Sequence, residues 1–306
     1  MTFRSGAVRP DPAADIDGYL ARLGLERPGR PDAAWLFAAH RAHMERIPYE
    51  NFEIQLNRPT SVDPAETIAR IARGRGGYCF HLNGALGTLL ASLGYDVTRH
   101  LGEVRGAEVD QASTGLTINH QVLTVLCDGE AWFVDCGLGD APYEPMPLRE
   151  GTPNGIGTRT AVSQGPFTYG LEPWAGRVGG WRFVHDPGHE SFVSMVFAPE
   201  PVGVEAFAQA HHRLSTSPDS SFVRAAIASR RDAHGADVLR GRMIYRIDGD
   251  GVTKQPIDSQ QAWFELLADV FGLHLDDVDE TERAALWRRV SAAHEEWLAE
   301  RAAATS

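Results

Sequence analysis

The hydrophobic pattern changes at Gly94, and this change constrains the fold more than any other feature of the sequence. Before it, residues 15–25, 32–47 and 61–73 carry apolar side chains at three- and four-residue spacing, which is typical of amphipathic helices. A fourth helix is predicted from Cys79 to the stop at Gly94. After Gly94, short runs rich in β-branched and aromatic residues alternate with turn residues, which indicates strands. A helical N-terminal part is therefore followed by a β-rich part.

The C-terminal third returns to mixed structure. Its residue pattern predicts helices over 220–230, 261–273 and 282–303, and a β-hairpin that turns at Asp248–Gly251. Residues 145–180 are rich in glycine and proline, so we expect long loops there.

Composition and charge exclude several functional classes. The 306 residues allow one large domain or two to three small ones, and a net charge of −12 argues against non-specific nucleic-acid binding. No stretch approaches the roughly 18 unbroken apolar residues of a membrane helix. The N-terminus lacks an apolar core of signal-peptide length, and the three cysteines form no CxxC pair. We therefore expect a cytoplasmic protein without nucleic-acid or membrane partners.

Cys79 lies in the segment GRGGYCFHLN, between a glycine-rich turn and a predicted helix. A free cysteine is most often an inert, buried small hydrophobe. Here the glycines let the backbone approach a substrate closely, and the unpaired N–H groups and dipole of a first helical turn favour a thiolate. No second cysteine is nearby, which argues against structural zinc. Cys79 is therefore predicted to be a nucleophile.

The geometry of one hairpin predicts a base and an orienting acid for this nucleophile. Asp128–Gly129 is a typical two-residue turn, and if it closes a tight hairpin, Cys127 pairs with Glu130. His120 and Asp135 then become diagonal neighbours on one face, with backbones roughly 7–8 Å apart. This separation allows an imidazole–carboxylate hydrogen bond. The ordinary alternatives are a satisfied core or surface histidine and a solvated aspartate at a strand end.

The other two cysteines are predicted to be structural. Cys127 and Cys136 point to the face opposite His120, and strand geometry at about 3.3 Å per residue separates them by roughly 20 Å. They can therefore share neither a disulfide nor a metal ion.

The order Cys79, His120, Asp135 is suited to acyl transfer through a covalent intermediate. The imidazole would take the thiol proton, and the carboxylate would fix its tautomer and orientation. These residues alone do not determine whether the acyl group passes to water or to an amine.

Five segments resemble motifs of the arylamine N-acetyltransferase family. RGGYC followed by FHLN resembles its nucleophile motif, and IPYENFEI resembles its N-terminal IPFEN motif. The stretch from NHQVLTV to WFVDCGLG, taken as one segment, resembles the part of the family that carries its histidine and aspartate. RLSTSPDSSFV and DVFGLHLDD resemble a later segment and the C-terminal helix. The segments follow the family's order and span most of the chain.

This resemblance implies an α+β fold of three parts, with a catalytic core similar to that of cysteine proteases and transglutaminases. Residues 1–94 would form a helical domain with the nucleophile, 95–212 a β-barrel-like domain with the histidine and aspartate, and 213–306 an α/β lid with a terminal helix. It also implies a ping-pong reaction in which Cys79 takes an acetyl group from acetyl-CoA and passes it to an arylamine, hydrazine or N-hydroxyarylamine. No metal is implied, and the chain would be a monomer or a homodimer.

The resemblance also assigns roles by position. Cys79, His120 and Asp135 match the catalytic triad. Four residues match, or sit beside, a polar cluster that braces the nucleophile loop: Arg75, Glu50, Asn51 and Asn83. The alternative for Arg75 and Glu50 is a surface ion pair worth under about 1 kcal/mol. Three aromatic residues are close enough in sequence to line the acceptor cleft: Tyr78, Phe80 and Phe133. A stretch near the coenzyme A pocket is matched by Ser215, Thr216 and Ser217, for which a turn or helix cap is the alternative.

His81 departs from the family pattern, which usually has Glu or Gln two residues after the nucleophile. In a regular helix His81 lies about 200° round from Cys79, so it need not touch the sulfur and would act on the support network or the acyl pocket. Residues 105–119 and the glycine-rich segment 149–180 are also distinctive, so the identities of donor and acceptor stay open.

Three other functions stay open. An amide synthase of the same family would take its acyl chain from an acidic carrier protein and would need a basic patch, for which the candidates are Arg99, Arg105, Arg230 and Arg231. A cysteine hydrolase would use the same triad order, although the remaining motifs favour the acetyltransferase. A non-catalytic binding module would keep the fold, but an intact triad argues against it.

Overall fold

The computed structural model describes residues 6–140, 142–149, 160–186 and 191–304. The N-terminal part consists of α1 (Ile16–Leu23), α2 (Ala33–Arg46), β1 (Tyr49–Glu50), α3 (Phe52–Gln55), α4 (Pro64–Ala72) and α5 (Cys79–Ser92). An aspartate side chain accepts a backbone N–H at the start of α1, α2 and α4, and so caps each helix. The four helices predicted before Gly94 are confirmed, whereas the short α3 has no counterpart in the sequence pattern.

Eight strands follow in the described part of the chain: β2 (Asp96–Arg105), β3 (His120–Cys127), β4 (Glu130–Val134), β5 (Met146–Pro147), β6 (Thr160–Gln164), β7 (Phe167–Pro173), β8 (Trp181–Val184) and β9 (Ser194–Pro201). They pair antiparallel and curl into a nearly closed, barrel-like sheet in the order β5-β4-β3-β2-β9-β8-β7-β6. The prediction of loops across 145–180 is wrong for β6 and β7, which form a hairpin. The alternating side chains of Phe167, Tyr169 and Leu171 are buried in the barrel core, and this burial stabilises the hairpin.

The C-terminal part builds a second sheet flanked by helices. A 3₁₀ turn (Val204–Phe207), α6 (Ala208–Thr216) and α7 (Ser221–Arg224) precede β10 (Ile227–Arg231), β11 (Gly235–Arg240), β12 (Met243–Asp248) and β13 (Gly251–Pro256); α8 (Gln260–Phe271) and α9 (Glu280–Ala304) follow. The β12–β13 hairpin and the last two helices confirm the predictions. The helix predicted over 220–230 is wrong beyond its first turn, because β10 pairs with β1 on one side and with β11 on the other.

The predicted β3–β4 hairpin register is confirmed. Cys127 pairs with Glu130, and the turn residues Asp128 and Gly129 both have positive φ, at 51° and 78°. A two-residue turn with two positive φ values matches the twist of the flanking strands and therefore fixes the pairing. This register brings His120 beside the residue that follows β4, Asp135.

Helix α5 is the central element of the N-terminal core. Residues 79–91 are all buried, and Leu82, Leu86 and Leu89 belong to a cluster that includes Val97 and Leu123 of the barrel-like sheet. Cys79, the predicted nucleophile, is thus placed at the start of a helix that is packed between the helical part and the barrel-like sheet. Among the described residues, no helix is both long and apolar enough to cross a membrane.

Candidate active site

Cys79 is the first residue of α5, and the glycine turn before it is tightly packed. A Cβ on Gly76 would lie 1.9 Å from the carbonyl oxygen of Pro48, and one on Gly77 would lie 2.6 Å from Cβ of His81. Only glycine fits these two positions. The turn therefore delivers a buried Cys79 to the first helical turn, where backbone N–H groups lack intrahelical partners.

His120 and Asp135 form a fully buried pair. Nε2 of His120 lies 2.7 Å from Oδ2 of Asp135. Burial lowers the pKa of His120, but the charge and hydrogen bond of Asp135, followed by the hydrogen bond and charge of Cys79, raise it to about 10. Since Nε2 is occupied by Asp135, Nδ1 is the ring nitrogen left for the thiol. The three residues meet as the sequence predicts, in an arrangement that favours an imidazolium.

Asp135 is held by partners from two directions. Its Oδ1 accepts hydrogen bonds from Nδ2 of Asn83 at 2.8 Å and from the backbone N–H of Gly137 at 2.8 Å. The same Asn83 accepts from the backbone N–H of Cys136 through Oδ1 at 2.9 Å. Asn83 therefore joins α5 to the Asp135 segment.

Three further residues contact the triad without a clear signal in the sequence. The backbone oxygen of Asn119 accepts from Sγ of Cys79 at 3.5 Å, and Nε2 of the buried His40 lies 3.2 Å from the backbone oxygen of Asp135. Gly137 packs directly against the nucleophile, because a Cβ there would lie 2.7 Å from Cα of Cys79. The sequence signals one of these three residues, because Gly137 is a glycine two positions after the predicted acid Asp135.

Arg75 is the centre of a buried ionic cluster rather than part of a surface pair. Its guanidinium lies 2.7 Å from Oε1 of Glu53, 3.2 Å from Oδ1 of Asp277 and 3.7 Å from Oε1 of Glu50. Glu50 in turn accepts from the backbone N–H of Gly76 at 3.2 Å. Arg75 and Glu50 thus tie the glycine turn to α3 and to the segment between α8 and α9.

Replacing Arg75 with glutamine is expected to lower the free energy of unfolding by about 3–5 kcal/mol, because Glu50 and Glu53 stay buried without their cation. Burial raises the pKa of Glu53 against the effect of Arg75, so in the variant Glu53 takes up a proton as the pH falls. Burial raises the pKa of Asp277, but the charge of Arg75 acts against burial, and the net pKa is lowered. The parent therefore loses the stabilising Arg75–Asp277 interaction as the pH falls through that lowered pKa. The difference between parent and variant should therefore shrink in acid.

Urea unfolding at neutral and at mildly acidic pH measures this difference. The matched control is Arg27→Gln, which breaks an exposed pair with Asp17 and should cost under about 1 kcal/mol. Equal small losses in both variants would show that the Arg75 cluster does not stabilise the fold.

Asn51 makes contacts that differ from the expected bracing of the nucleophile loop. Its Nδ2 donates to the backbone oxygens of Phe222 and Ala225 at 2.9 and 2.8 Å, and its Oδ1 accepts from the N–H of Ile227 at 2.8 Å. Asn51 precedes α3 and directs its side chain toward the C-terminal part. It therefore holds the segment that carries Phe222 beside the site.

A cleft of about 400 Å³ opens beside the predicted triad. Cys79 and His120 lie in its wall. Aromatic and apolar side chains from distant segments form a large part of that wall: Tyr49, Leu138, Phe192, Leu214 and Phe222. Such a surface can enclose a small aromatic molecule and exclude water from it.

Tyr78, Phe80 and Phe133 do not line this cleft, which corrects the expectation from their sequence positions. All three are buried. The hydroxyl of Tyr78 forms a hydrogen bond with Nδ1 of His211 at 2.5 Å. Phe80 packs on Phe207, with 5.3 Å between the ring centroids. Phe133 lies in the barrel core with other aromatic rings. Successive residues of a helix point about 100° apart, so proximity in sequence to Cys79 does not place Phe80 in the cleft.

Ser215, Thr216 and Ser217 end a helix. The hydroxyls of Ser215 and Thr216 donate to the backbone oxygen of His212 at 3.2 and 2.7 Å, and Ser217 is the C-terminal cap of α6. The three side chains lie outside the wall of the cleft. The contacts described support the alternative of a turn and helix cap, and a contact with coenzyme A stays a prediction.

His81 caps the N-terminus of α5. Its Nδ1 accepts from the backbone N–H of Tyr78 at 3.4 Å, and Nε2 lies 3.4 Å from Oγ1 of Thr60. Burial lowers the pKa of His81 well below its usual value, and Arg70 lowers it further, so the ring stays neutral and keeps an acceptor. A Glu or Gln three residues after the N-cap fulfils this role in a capping box. The substitution therefore conserves the cap through a different acceptor.

Cys127 and Cys136 are free and buried in the core that α5 shares with the sheet, as expected of structural residues. Within the described parts of the chain, no group of three or more His, Cys, Asp or Glu could hold a metal ion.

Sequence comparison relates the chain to N-acetyltransferases and to a synthase. The sequence profile of a family described as N-acetyltransferase matches residues 32–280. An arylamine N-acetyltransferase of Mycolicibacterium smegmatis is 39% identical over 131 residues, which span 42% of this chain and 47% of that protein. Proansamycin X synthase of Amycolatopsis mediterranei is 29% identical over 177 residues, which span 56% of this chain and 66% of that enzyme.

Solved structures extend the likeness to the whole fold. Mycobacterium marinum arylamine N-acetyltransferase in complex with CoA matches with a TM-score of 0.78 at 25% identity, over 91% of this chain and 99% of that chain. The helical part, the barrel-like sheet and the cysteine-protease-like core define an α+β acyltransferase fold. The chain belongs to the arylamine N-acetyltransferase family.

Proposed function

We propose that this protein transfers an acetyl group from acetyl-CoA to an arylamine, hydrazine or N-hydroxyarylamine through a thioester on Cys79. One observation carries the proposal: a cysteine at a helix start, an imidazole and a buried carboxylate converge at one cleft. The solved complex of the related M. marinum enzyme with CoA supports coenzyme A as the carrier of the acyl group.

In the first step, the thiolate of Cys79 attacks the carbonyl carbon of acetyl-CoA. The bond between that carbon and the coenzyme A sulfur breaks, and the departing thiolate takes the proton that His120 holds. Asp135 keeps the imidazole oriented and compensates its positive charge while the proton is on the ring. The raised pKa of His120 supports this role, since the imidazolium persists beside the thiolate.

In the second step, the amine nitrogen attacks the thioester carbonyl. His120, now neutral, takes a proton from the attacking nitrogen, and Cys79 leaves as the thiolate. The aromatic and apolar side chains in the wall of the cleft favour this outcome over hydrolysis, because they limit the access of water to the thioester.

Amide synthesis from a longer or carrier-bound acyl donor is the second candidate, and the likeness to proansamycin X synthase favours it. Four arginines were candidates for a basic patch that binds a carrier protein. Arg99, Arg105 and Arg231 are buried, Arg230 is half-buried, and Arg105 is paired with Glu103 at 3.0 Å. Alternate side chains of a strand point inward, so the three buried arginines belong to the interior of the sheets.

Initial-rate kinetics tests the proposal. Varying acetyl-CoA at several fixed concentrations of an arylamine should give parallel double-reciprocal lines, as expected of a ping-pong reaction. Intersecting lines would indicate direct transfer within a ternary complex and would contradict the thioester. Release of coenzyme A at the same rate with and without amine would indicate a hydrolase instead.

Replacing Gly137 with alanine is expected to lower kcat/KM by about 100-fold, because a displaced nucleophile loses its alignment. The added Cβ would lie 2.7 Å from Cα and 2.9 Å from Cβ of Cys79. Overpacking of this kind also costs about 1–3 kcal/mol of stability. Gly29→Ala is the matched control, since an added Cβ there meets nothing within 4 Å. A folded Gly137→Ala variant with the parent's kcat/KM would refute a positioning role for this contact.

A further inference from the structure

A buried carboxylate in the wall of the cleft has no role in the steps above. Asp140 lines the cleft together with Cys79 and His120 and is 4% exposed. Neither of its carboxylate oxygens accepts a hydrogen bond from the residues that the structure describes. Burying a carboxylate is costly unless hydrogen bonds or an opposite charge compensate it.

His185 supplies an opposite charge on one side of Asp140. Its Nε2 lies 3.4 Å from Oδ1 of Asp140, and the rings of Tyr169 and Phe192 surround the imidazole at 5.5 and 4.8 Å between centroids. Burial lowers the pKa of His185, but Asp140 raises it above its usual value, which favours an ionised pair. A carboxylate offers about four acceptor positions, so this single contact leaves most of them unused.

Ser229 extends the same polar patch. Its hydroxyl is buried, and it has no hydrogen-bond partner among the described residues although it belongs to the wall of the cleft. The patch shares one cleft wall with Cys79. A Cβ on Gly137 would lie 2.7 Å from Cα of Cys79, and one on Gly139, the residue before Asp140, would lie 3.6 Å from Oγ of Ser229. An acceptor bound beside Cys79 is therefore within reach of the patch.

The charges at the rim differ from Asp140 in their exposure. Glu108 and Arg240 also line the cleft, but both side chains are exposed to solvent. Water and salt screen exposed charges strongly, whereas they screen a buried charge much less. Asp140 therefore acts on a bound acceptor more strongly than Glu108 or Arg240, although His185 offsets part of its charge.

We propose that Asp140 and Ser229 form a subsite for a second, hydrogen-bond-donating substituent of the acceptor amine, with a preference for cationic substituents. The subsite rejects acceptors that carry a carboxylate in the same place, because two carboxylates would meet in a water-poor cleft. This inference rests on the proposed function and names the class of acceptor that the site takes.

The experiment uses three nearly isosteric arylamines: 4-aminobenzamidine, 4-aminobenzamide and 4-aminobenzoate. They present a cation, a neutral amide and an anion at the same place. The protein is first acetylated with acetyl-CoA, and the loss of the acetyl group to each amine is then followed in a single turnover. The rate constants are compared between the parent, Asp140→Asn, which removes the charge at constant shape, and Glu108→Gln, which removes a charge from the exposed rim.

The parent should prefer the amidine over the carboxylate, and Asp140→Asn should reduce this preference by about tenfold or more. Glu108→Gln should change it less than about twofold. Preference of the parent for 4-aminobenzoate, or the same preference in parent and Asp140→Asn, would overturn the subsite. If Asp140→Asn does not fold, the rate constants of the parent with the three arylamines decide whether the subsite exists. A parent that takes up no acetyl group would contradict the proposed function instead, so the two failures are distinguishable.

Discussion

Replacing Cys79 with alanine is expected to lower the rate of acetyl transfer by at least about 10⁴-fold, because the thioester cannot form without the nucleophile. Amine acetylation under saturating acetyl-CoA measures the loss. Cys127→Ala and Cys136→Ala remove thiols of similar burial from the core and should cost stability rather than rate. Turnover of the Cys79→Ala variant at the parent's rate would show that another group attacks the donor.

Replacing Asp135 with asparagine is expected to lower the rate by about 10⁴-fold. The carboxylate accepts from Asn83 and Gly137 through Oδ1 and holds His120 through Oδ2. The single oxygen of an asparagine can accept from only one of these two sides. Its amide nitrogen then faces either the donors Asn83 and Gly137 or Nε2 of His120, which would have to change tautomer. Steady-state rates measure the effect, with Asp17→Asn at an exposed ion pair as the matched control. A reduction of only a few-fold would argue against an orienting role for Asp135.

The same variant has a signature in the pH dependence of stability. Asp135 and Cys79 raise the pKa of His120 to about 10 against the effect of burial. The stabilisation from the protonated pair is therefore complete below the pKa of the unfolded histidine and is lost as the pH rises through about 10. The unfolding free energies of parent and Asp135→Asn should converge at alkaline pH.

The placement of Cys79, His120 and Asp135 could be predicted from the sequence because two local rules act on it. The positive φ values of Asp128 and Gly129 fix the register of a two-residue hairpin, and this register places His120 beside Asp135. The glycines before Cys79 are needed for a turn that leads directly into a buried helix. Both rules depend on residues within a short stretch of chain, so they can be applied without knowledge of the rest of the fold.

The wall of the cleft could not be predicted in the same way. Tyr49, Phe192 and Phe222 come from distant segments, and only the assembled sheets bring them together. Tyr78 and Phe80 are near Cys79 in sequence but point into the core. The pattern of residues 220–230 is compatible with a helix, and pairing of β10 with two neighbouring strands overrides this preference. Long-range pairing and burial decide these features.

Intact mass spectrometry would detect an acetyl thioester on Cys79. The parent and Cys79→Ala are exposed briefly to acetyl-CoA without amine, and their masses are compared. We expect a gain of one acetyl group on the parent alone, which an arylamine or hydrazine then removes. An acetyl group on both proteins, or none on the folded parent, would contradict acetylation of Cys79 by acetyl-CoA.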